Sequence, residues 1–452
     1  MTTRAGATTL RRRPLLRLAV VLLFLPGRAA HADFEVLWRE LAPYQGRRVT
    51  AIELSGRKVT RESVIRRELR LSVDQPLDIA ALLRDCQRLE NLAIFAEIRV
   101  SGEAVEPDGV RLIYHLRELP SWIPVLALTY TEEDDFSIGP GLVAGNLAGR
   151  DITLSAKAFF GGTTQYMADL QWPWITGNHV SLDFLGARLV RDDTLREFEE
   201  TSDEVRPTLG MYLGDRGRLA GTFGWFRMRS DVDGKTLSPD NEDSLLRLGA
   251  SLGWDTRDSW THPRRGWLNE IEVLKTGGFL GGDGDFWTLT ADLRRWQRTA
   301  AHQTLLVSGL VSYQTGMAGV DIPVYLDYRM GGANSIRGYS VEDLGKRLYG
   351  KSQLIGTVEY SFILMPMRPF KVFRWSLRLG LEAALFTDAG IAWSLPEDLR
   401  MNRARAGGGA GLRLLIPGAE MLRFDVGWSP EGGFQFHFAG RAKAERQRWR
   451  IR

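Results

Sequence analysis

From Pro120 to about Gly440 the chain alternates apolar and polar residues with a period of two, and helical periodicity is almost absent over these roughly 320 residues. Leu354, Gly356, Val358, Tyr360 and Phe362 stand against Gln353, Thr357, Glu359 and Ser361; Trp375, Leu377, Leu379, Leu381, Ala383 and Leu385 stand against Ser376, Arg378, Glu382 and Asp388. Leu422, Phe424, Val426 and Trp428 do the same against Arg423 and Asp425. Such alternation makes strands whose two faces meet different surroundings. A soluble sandwich would turn the apolar face inward, and a membrane barrel would turn it outward. The number and length of the segments favour the barrel. Sixteen strand candidates between Trp122 and Gly440 leave about 20 residues per strand and turn, enough for the ~9 to 11 residues of a tilted spanning strand plus a loop. An even count suits a closed antiparallel barrel with both ends on one side. Tight links such as Asp215-Arg216-Gly217-Arg218 and Ile416-Pro417-Gly418-Ala419 alternate with long ones, the longest running from about Thr315 to Gly350. Trp172, Trp174, Trp254, Trp287, Trp393 and Trp428 lie near expected strand ends, where an aromatic girdle belongs. A mean hydropathy of −0.19 excludes a polytopic helical membrane protein.

Ahead of this region the period changes. Between Arg48 and Leu116 the pattern predicts a short strand with Ile52 and Leu54, a turn at Gly56, and a helix that Thr60 could cap. A second helix follows with Asp78 as its cap and Ile79, Leu82, Leu83, Cys86 and Leu89 on one face. Strands Phe95 to Val100 and Val110 to Leu116 flank a turn at Pro107-Asp108-Gly109. The order β-α-α-β-β defines a small α+β domain over residues 48–118, reached by a linker over 33–47. Residues 1–32 read as a secretory signal peptide: Arg11-Arg12-Arg13, the apolar run Leu18 to Leu25, then Ala30-His31-Ala32 as cleavage site. A retained helical anchor is the alternative, but the run is short for ~30 Å of hydrocarbon. Six arginines (4, 11, 12, 13, 17, 28) and no acid lie in this leader, so the formal charge of +4 becomes 4 − 6 = −2 without it. Nucleic acid is therefore not an expected partner. Cys86 is the sole cysteine, which excludes an intrachain disulfide.

The long loop contains Gly331-Gly332-Ala333-Asn334-Ser335-Ile336-Arg337-Gly338-Tyr339. Here the chain resembles the BamA/TamA superfamily of outer-membrane β-barrel assembly factors, whose sixth extracellular loop folds into the lumen and carries an R-G-[FY] motif. Further landmarks stand in the expected order. Asn146-Leu147-Ala148-Gly149-Arg150 resembles the family's N-L-x-G-[RT] turn after the second strand, and Asp255-Thr256-Arg257-Asp258 with Pro263 and Gly266 resembles its D-x-x-D…P…G segment. Phe386-Thr387-Asp388-Ala389-Gly390 is similar to the F-x-D-x-G of the thirteenth strand, and the small domain is similar to a POTRA domain, including Asn91-Leu92-Ala93-Ile94-Phe95-Ala96-Glu97-Ile98. The fold class implied is mainly β: a 16-stranded antiparallel transmembrane β-barrel over residues 120–440, preceded by one small β-α-α-β-β POTRA domain and followed by a basic tail, 441–452.

A guanidinium lowered into a barrel lumen must be paired, and the planar fork of Arg337 suits carboxylates. Glu359 and Asp388 fall on the polar, lumen-facing parity, and the family's loop latch uses an acid in each of these motif positions. Gly338 would let the backbone turn tightly beside the wall, with Tyr339 packed on it. In the last strand Glu431-Gly432-Gly433-Phe434-Gln435-Phe436-His437-Phe438 is similar to the C-terminal signal of outer-membrane barrels in the spacing of Gly433, Phe436 and Phe438, with Gln435 and His437 facing inward.

The resemblance implies an outer-membrane protein with its POTRA domain in the periplasm, assisting insertion of other barrels through a seam between first and last strands. Its partners would be outer-membrane lipid and unfolded β-barrel clients, with periplasmic chaperones or other envelope proteins as further candidates. A two-partner-type secretion pore, which shares the R-G-Y loop, is the rival, and a passive channel a third reading. Catalysis is not expected: H-E-x-x-H does not occur, and His115, His179, His262, His302 and His437 are scattered. No cofactor or metal is expected. Gly407-Gly408-Gly409-Ala410-Gly411 has no helix after it and reads as a strand making room for the incoming loop.

Overall fold

The computed structural model describes residues 39–131, 135–176, 180–214, 216–259, 262–372, 375–415 and 422–439. The expected signal peptide and the basic tail, 441–452, lie outside the described residues.

The small domain consists of β1 (Arg48–Ser55), α1 (Glu62–Arg66), α2 (Ile79–Asn91), β2 (Phe95–Val105) and β3 (Gly109–Glu118). Its sheet has the order β1-β3-β2, with β1 parallel and β2 antiparallel to β3. Asp78 caps α2 by accepting from the Ala80 amide. The face of α2 made by Ile79, Leu82, Cys86 and Leu89 covers Ile52, Val100, Leu112 and Leu116 of the sheet, giving one apolar core. Strand β2 is the edge strand opposite β1. The sequence expectation for Thr60 needs correction: the cap position of α1 is Arg61, with no side-chain bond, and Thr60 is turned toward a partner in the barrel.

Sixteen strands follow. They are β4 (Trp122–Thr131), β5 (Asp135–Leu147), β6 (Ile152–Gly161), β7 (Thr163–Trp172), β8 (Val180–Asp193), β9 (Phe198–Leu213), β10 (Gly217–Ser230), β11 (Glu242–Asp255), β12 (Gly266–Gly277), β13 (Asp285–Ala300) and β14 (Gln303–Gln314) before the long loop. The loop contributes the short pair β15 (Tyr328–Arg329) and β16 (Tyr349–Gly350) with α3 (Val341–Gly345) between them. After it come β17 (Ser352–Val372), β18 (Trp375–Trp393), β19 (Arg405–Leu415), β20 (Leu422–Ser429) and β21 (Gly433–Ala439). Apart from the β15/β16 pair, each strand pairs antiparallel with the next from β4 to β21, β14 joining β17 across the loop.

The pairing register fixes which side chains share a face. Leu219 lies opposite Leu252 and Phe223 opposite Leu248, all four exposed on the outer surface, whereas Arg218 and Thr222 of the other parity are buried inside. An apolar exterior around a polar interior is the arrangement of a barrel whose solvent is lipid. Trp254, Trp287 and Trp428 are exposed on this surface near strand ends. Three of the expected girdle tryptophans are not: Trp172 is half-buried, Trp393 is buried under the long loop, and Trp174 lies against Arg67 of the small domain.

The small domain is joined to the turn between β5 and β6. Asn146, Ala148 and Asp151 all have positive φ, as does Gly149. The Asn146 side chain holds this turn by accepting from the Asp151 amide (2.9 Å) and donating to Thr60 Oγ1 (2.8 Å). A Cβ on Gly149 would lie 2.1 Å from the Val59 carbonyl oxygen, so the domain fits here against glycine. Arg61 adds a backbone bond to Gly149 and a side-chain bond to the Ala148 carbonyl, while Arg67 pairs with Asp151 at 3.1 Å and stacks on Trp174. The Glu118 carboxylate accepts from the amides of Val59 and Thr60, fixing the segment that makes this joint.

Candidate functional site: the loop latch in the lumen

The loop between β14 and β17 enters the lumen and turns at residues 331–340. Positive φ at Gly331, Gly332 and Gly338 allows the turn, and Ser335 Oγ ties it by bonding to both the amide and the carbonyl of Gly331. Ile336, Tyr339, Leu344 and Leu348 pack with Met330 on Leu310, Ile355, Ile391 and Trp393 of the wall, so the loop carries its own apolar base into a polar interior.

Arg337 sits on this base with 0% exposure. Its Nε and one terminal nitrogen form a fork on Asp388 at 2.8 and 3.1 Å, and its backbone amide also donates to Asp388. The other terminal nitrogen reaches Glu359 at 2.9 Å and Asp425 at 3.1 Å. The guanidinium carbon lies 3.4 Å from the ring centroid of Phe386, a cation–π contact in a water-poor site. Around it, Arg413 bridges Glu359 and Asp425, Arg423 lies 3.4 Å from Asp425 and donates to the Ala333 carbonyl, and Thr357 donates to Asp388. Arg337, Arg413 and Arg423 thus face Glu359, Asp388 and Asp425. Burial of ions requires opposite charges in contact, and here each of the three acids accepts a hydrogen bond from an arginine.

The structure brings Arg337, Glu359 and Asp388 together. Gly338 is held on both sides: its amide donates to Nε2 of His437 at 3.1 Å and its carbonyl accepts from Ser429 Oγ at 2.6 Å. The wall is shaped for this contact, since a Cβ on Gly407 would lie 2.0 Å from the Arg337 carbonyl oxygen and one on Gly427 2.3 Å from the Gly338 nitrogen. Tyr339 is buried in the apolar base. Phe386, Asp388 and Gly390 of the F-T-D-A-G segment all touch the loop, respectively beneath the guanidinium, on its fork, and against Ile336. By contrast the D-T-R-D segment builds a turn: Asp258 accepts from the amides of Arg264 and Arg265, and Gly266 passes within 2.3 Å of Thr256 O at its would-be Cβ.

Gly433, Phe436 and Phe438 are not part of the latch. Gly433 opens β21 with φ 66°, Phe436 is exposed on the lipid side, and Phe438 packs on Phe424 with ring centroids 4.9 Å apart. Asp425, Arg413, Arg423 and His437 were not singled out by sequence as latch residues. Arg423, Asp425 and His437 do carry a signal in the sequence, the same lumen-facing parity that marks Glu359. Among the described residues no group of three or more His, Cys, Asp or Glu side chains is placed to hold a metal ion.

Comparison with known proteins bears on the whole architecture. The Omp85 superfamily domain matches residues 146–440, and the POTRA domain, a surface antigen variable number repeat, matches residues 47–119. Two relatives named outer membrane protein assembly factor BamA are similar in sequence. That of Nitratidesulfovibrio vulgaris is 23% identical over 412 residues, covering 85% of this chain and 49% of the relative; that of Neisseria meningitidis serogroup B is 24% identical over 438 residues, covering 86% and 54%. The chain spans about half the length of these curated relatives. Among solved structures, BamA from Haemophilus ducreyi lacking POTRA domains 1–3 has a TM-score of 0.56 at 18% identity, covering 87% of this chain and 84% of that one. CdiB from Acinetobacter baumannii has a TM-score of 0.53 at 15% identity, covering 87% and 73%. The fold is thus that of an outer-membrane barrel with its POTRA domain in the periplasm. Matched over more than half of its length, the chain belongs to the Omp85 superfamily.

Proposed function

We propose that this protein assists the folding and insertion of β-barrel proteins in the outer membrane, working through the seam between β4 and β21 with the POTRA domain as a guide for unfolded clients. The observation that carries this reading is the state of the seam. Strands β4 and β21 approach within 8 Å between Cα atoms, yet among the described residues no ladder joins them, while the other neighbouring strands of the barrel are hydrogen-bonded. An unpaired strand edge is a template for another strand. The naming of both sequence relatives as assembly factors points the same way. The POTRA sheet offers a second edge at β2, to which an extended client segment could add. Arg337 and its carboxylates hold the loop inside the lumen and give the wall from β17 to β20 a fixed shape.

The test is a disulfide across the seam. Cys86 is buried in the small domain, so a Cys86→Ser background leaves the engineered pair as the only thiols. Oxidation should abolish client insertion and reduction should restore it, because closure removes the free edge. Undiminished insertion by the oxidised form would refute the seam reading and favour the secretion pore or passive channel. Deleting residues 48–118 tests the guide: insertion should be lost with the barrel still in the membrane, whereas a scaffold role would leave insertion unchanged.

A further inference from the structure

The two lips of the seam are held by different parts of the molecule. On the C-terminal side His437 projects from β21 into the lumen, 3% exposed, and its Nε2 accepts the Gly338 amide. An imidazole that accepts at Nε2 carries its proton on Nδ1. Ser429 of β20 takes the carbonyl of the same glycine and also accepts from the Gly432 amide in the turn that leads into β21. The residue next to Gly338, Arg337, reaches β17, β18 and β20. On the N-terminal side Ile123, Val125 and Ala127 line the lumen from the first half of β4 with apolar side chains. That lip is joined instead, through the β5–β6 turn, to Thr60, Arg61 and Arg67 of the POTRA domain.

We propose that His437 is the positioning residue of the seam: through the Gly338 amide it ties β21 to the latch, so that β21 is the fixed lip and β4 the lip that moves. The tie ranks above a bystander contact for two reasons. It joins the latch to the seam strand itself, and it occupies the amide of a buried glycine, so its loss leaves a buried donor unpaired. The consequence for clients rests on the seam reading above; the tie itself does not.

Hydrogen–deuterium exchange of the full chain in lipid nanodiscs measures it. In the unaltered protein, peptides covering β4 should exchange faster than those covering β21, and this comparison needs no variant. His437→Leu should speed exchange across residues 433–439 by about tenfold, the factor that one unpaired buried amide carries, with the POTRA domain unchanged. His437→Gln places an amide oxygen near the position of Nε2 and should restore the slow rate. The proposal fails if β21 exchanges as fast as β4 in the unaltered protein, if His437→Leu leaves β21 unchanged, or if the glutamine variant behaves like the leucine one. Client insertion measured in parallel separates the two readings. Faster exchange of β21 with normal insertion would keep the tie and sink the seam, and unchanged exchange would sink the tie whatever the clients do.

Discussion

The POTRA domain buries Leu82, Leu89 and Leu112 and leaves pairs such as Arg117 with Glu97 and Arg48 with Asp74 in water. The barrel does the reverse: Arg337, Arg413 and Arg423 are among its most completely buried side chains, while Phe424, Phe434 and Phe436 lie exposed on its surface. Both halves obey one rule, that each face of an element meets the solvent it suits. The difference lies in the solvent, water around one and lipid around the other. The energetic consequence is that the two interiors fail differently. An apolar core loses stability in proportion to the cavity made, whereas a charge cluster loses it when one sign is left without the other.

The sharpest way to break this contrast is to remove the cation at the centre of the lumen. Arg337→Leu leaves Glu359, Asp388 and Asp425 facing one another with Arg413 and Arg423 alone, and a buried pair broken on one side costs about 3 to 5 kcal/mol. We expect the folded barrel to lose its heat-resistant migration in semi-native gels at a clearly lower temperature, with client insertion impaired and β content largely kept. Leu112→Ala in the POTRA core should cost a similar ~2 to 5 kcal/mol, but the damage should appear as proteolysis of residues 48–118 with barrel migration unchanged. Equal effects of both variants on both readouts would show that the two interiors are not independent.

A smaller effect is expected where the halves meet. Asn146→Ala removes the bond to Thr60 and the side chain that holds the turn at positive φ, a loss of about 1 to 2 kcal/mol. Distances between spin labels on the POTRA domain and on the β8–β9 loop should broaden, with each half stable. A single narrow distance in the variant would assign the joint to the arginine contacts alone.

The smallest effect is one of pH. Partial burial pushes the Glu118 carboxyl up, but hydrogen bonds from Thr60 and Val59 outweigh it and hold the group below the usual glutamate range. A carboxyl with a depressed folded pKa contributes stability that is present above its unfolded value, near 4.5, and is lost as pH falls through the folded one. The segment 58–60 should therefore stay ordered below pH 4.5 and loosen as the pH falls through the depressed folded value, and Glu118→Gln should abolish that step. An acid transition that persists in the glutamine variant would place the sensitive group elsewhere.

How much of this could be read in the sequence depended on how local each cause is. Lipid imposes period-two patterning on every strand, so the sixteen strands were legible one at a time. Glu359 and Asp388 were legible because parity and motif coincide on them. Parity alone marks many lumen residues, and which of them meet the loop is decided by where the sheet curls. Arg413, Asp425 and His437 lie 76, 88 and 100 residues from Arg337 in sequence and reach the loop only once the strands are side by side. Thr60 misled for the same reason. Its local role as a helix cap competes with a partner 86 residues away, and the distant one prevails. Trp393 has the position of a girdle residue, and only the loop folded over it makes it core.

Strand β19 shows where that dependence on distant partners leads. Gly407, Gly408, Gly409 and Gly411 give it little side-chain area and a backbone with much freedom to lose, so by itself it is a poor strand. The same absence of Cβ atoms admits the loop. Strand and loop are therefore conditional on each other, and neither has a reason to persist in the absence of its counterpart. Such mutual dependence is cooperativity written into covalent structure: this sector of the barrel should order and disorder as a single event, with no intermediate in which the wall stands and the loop is out.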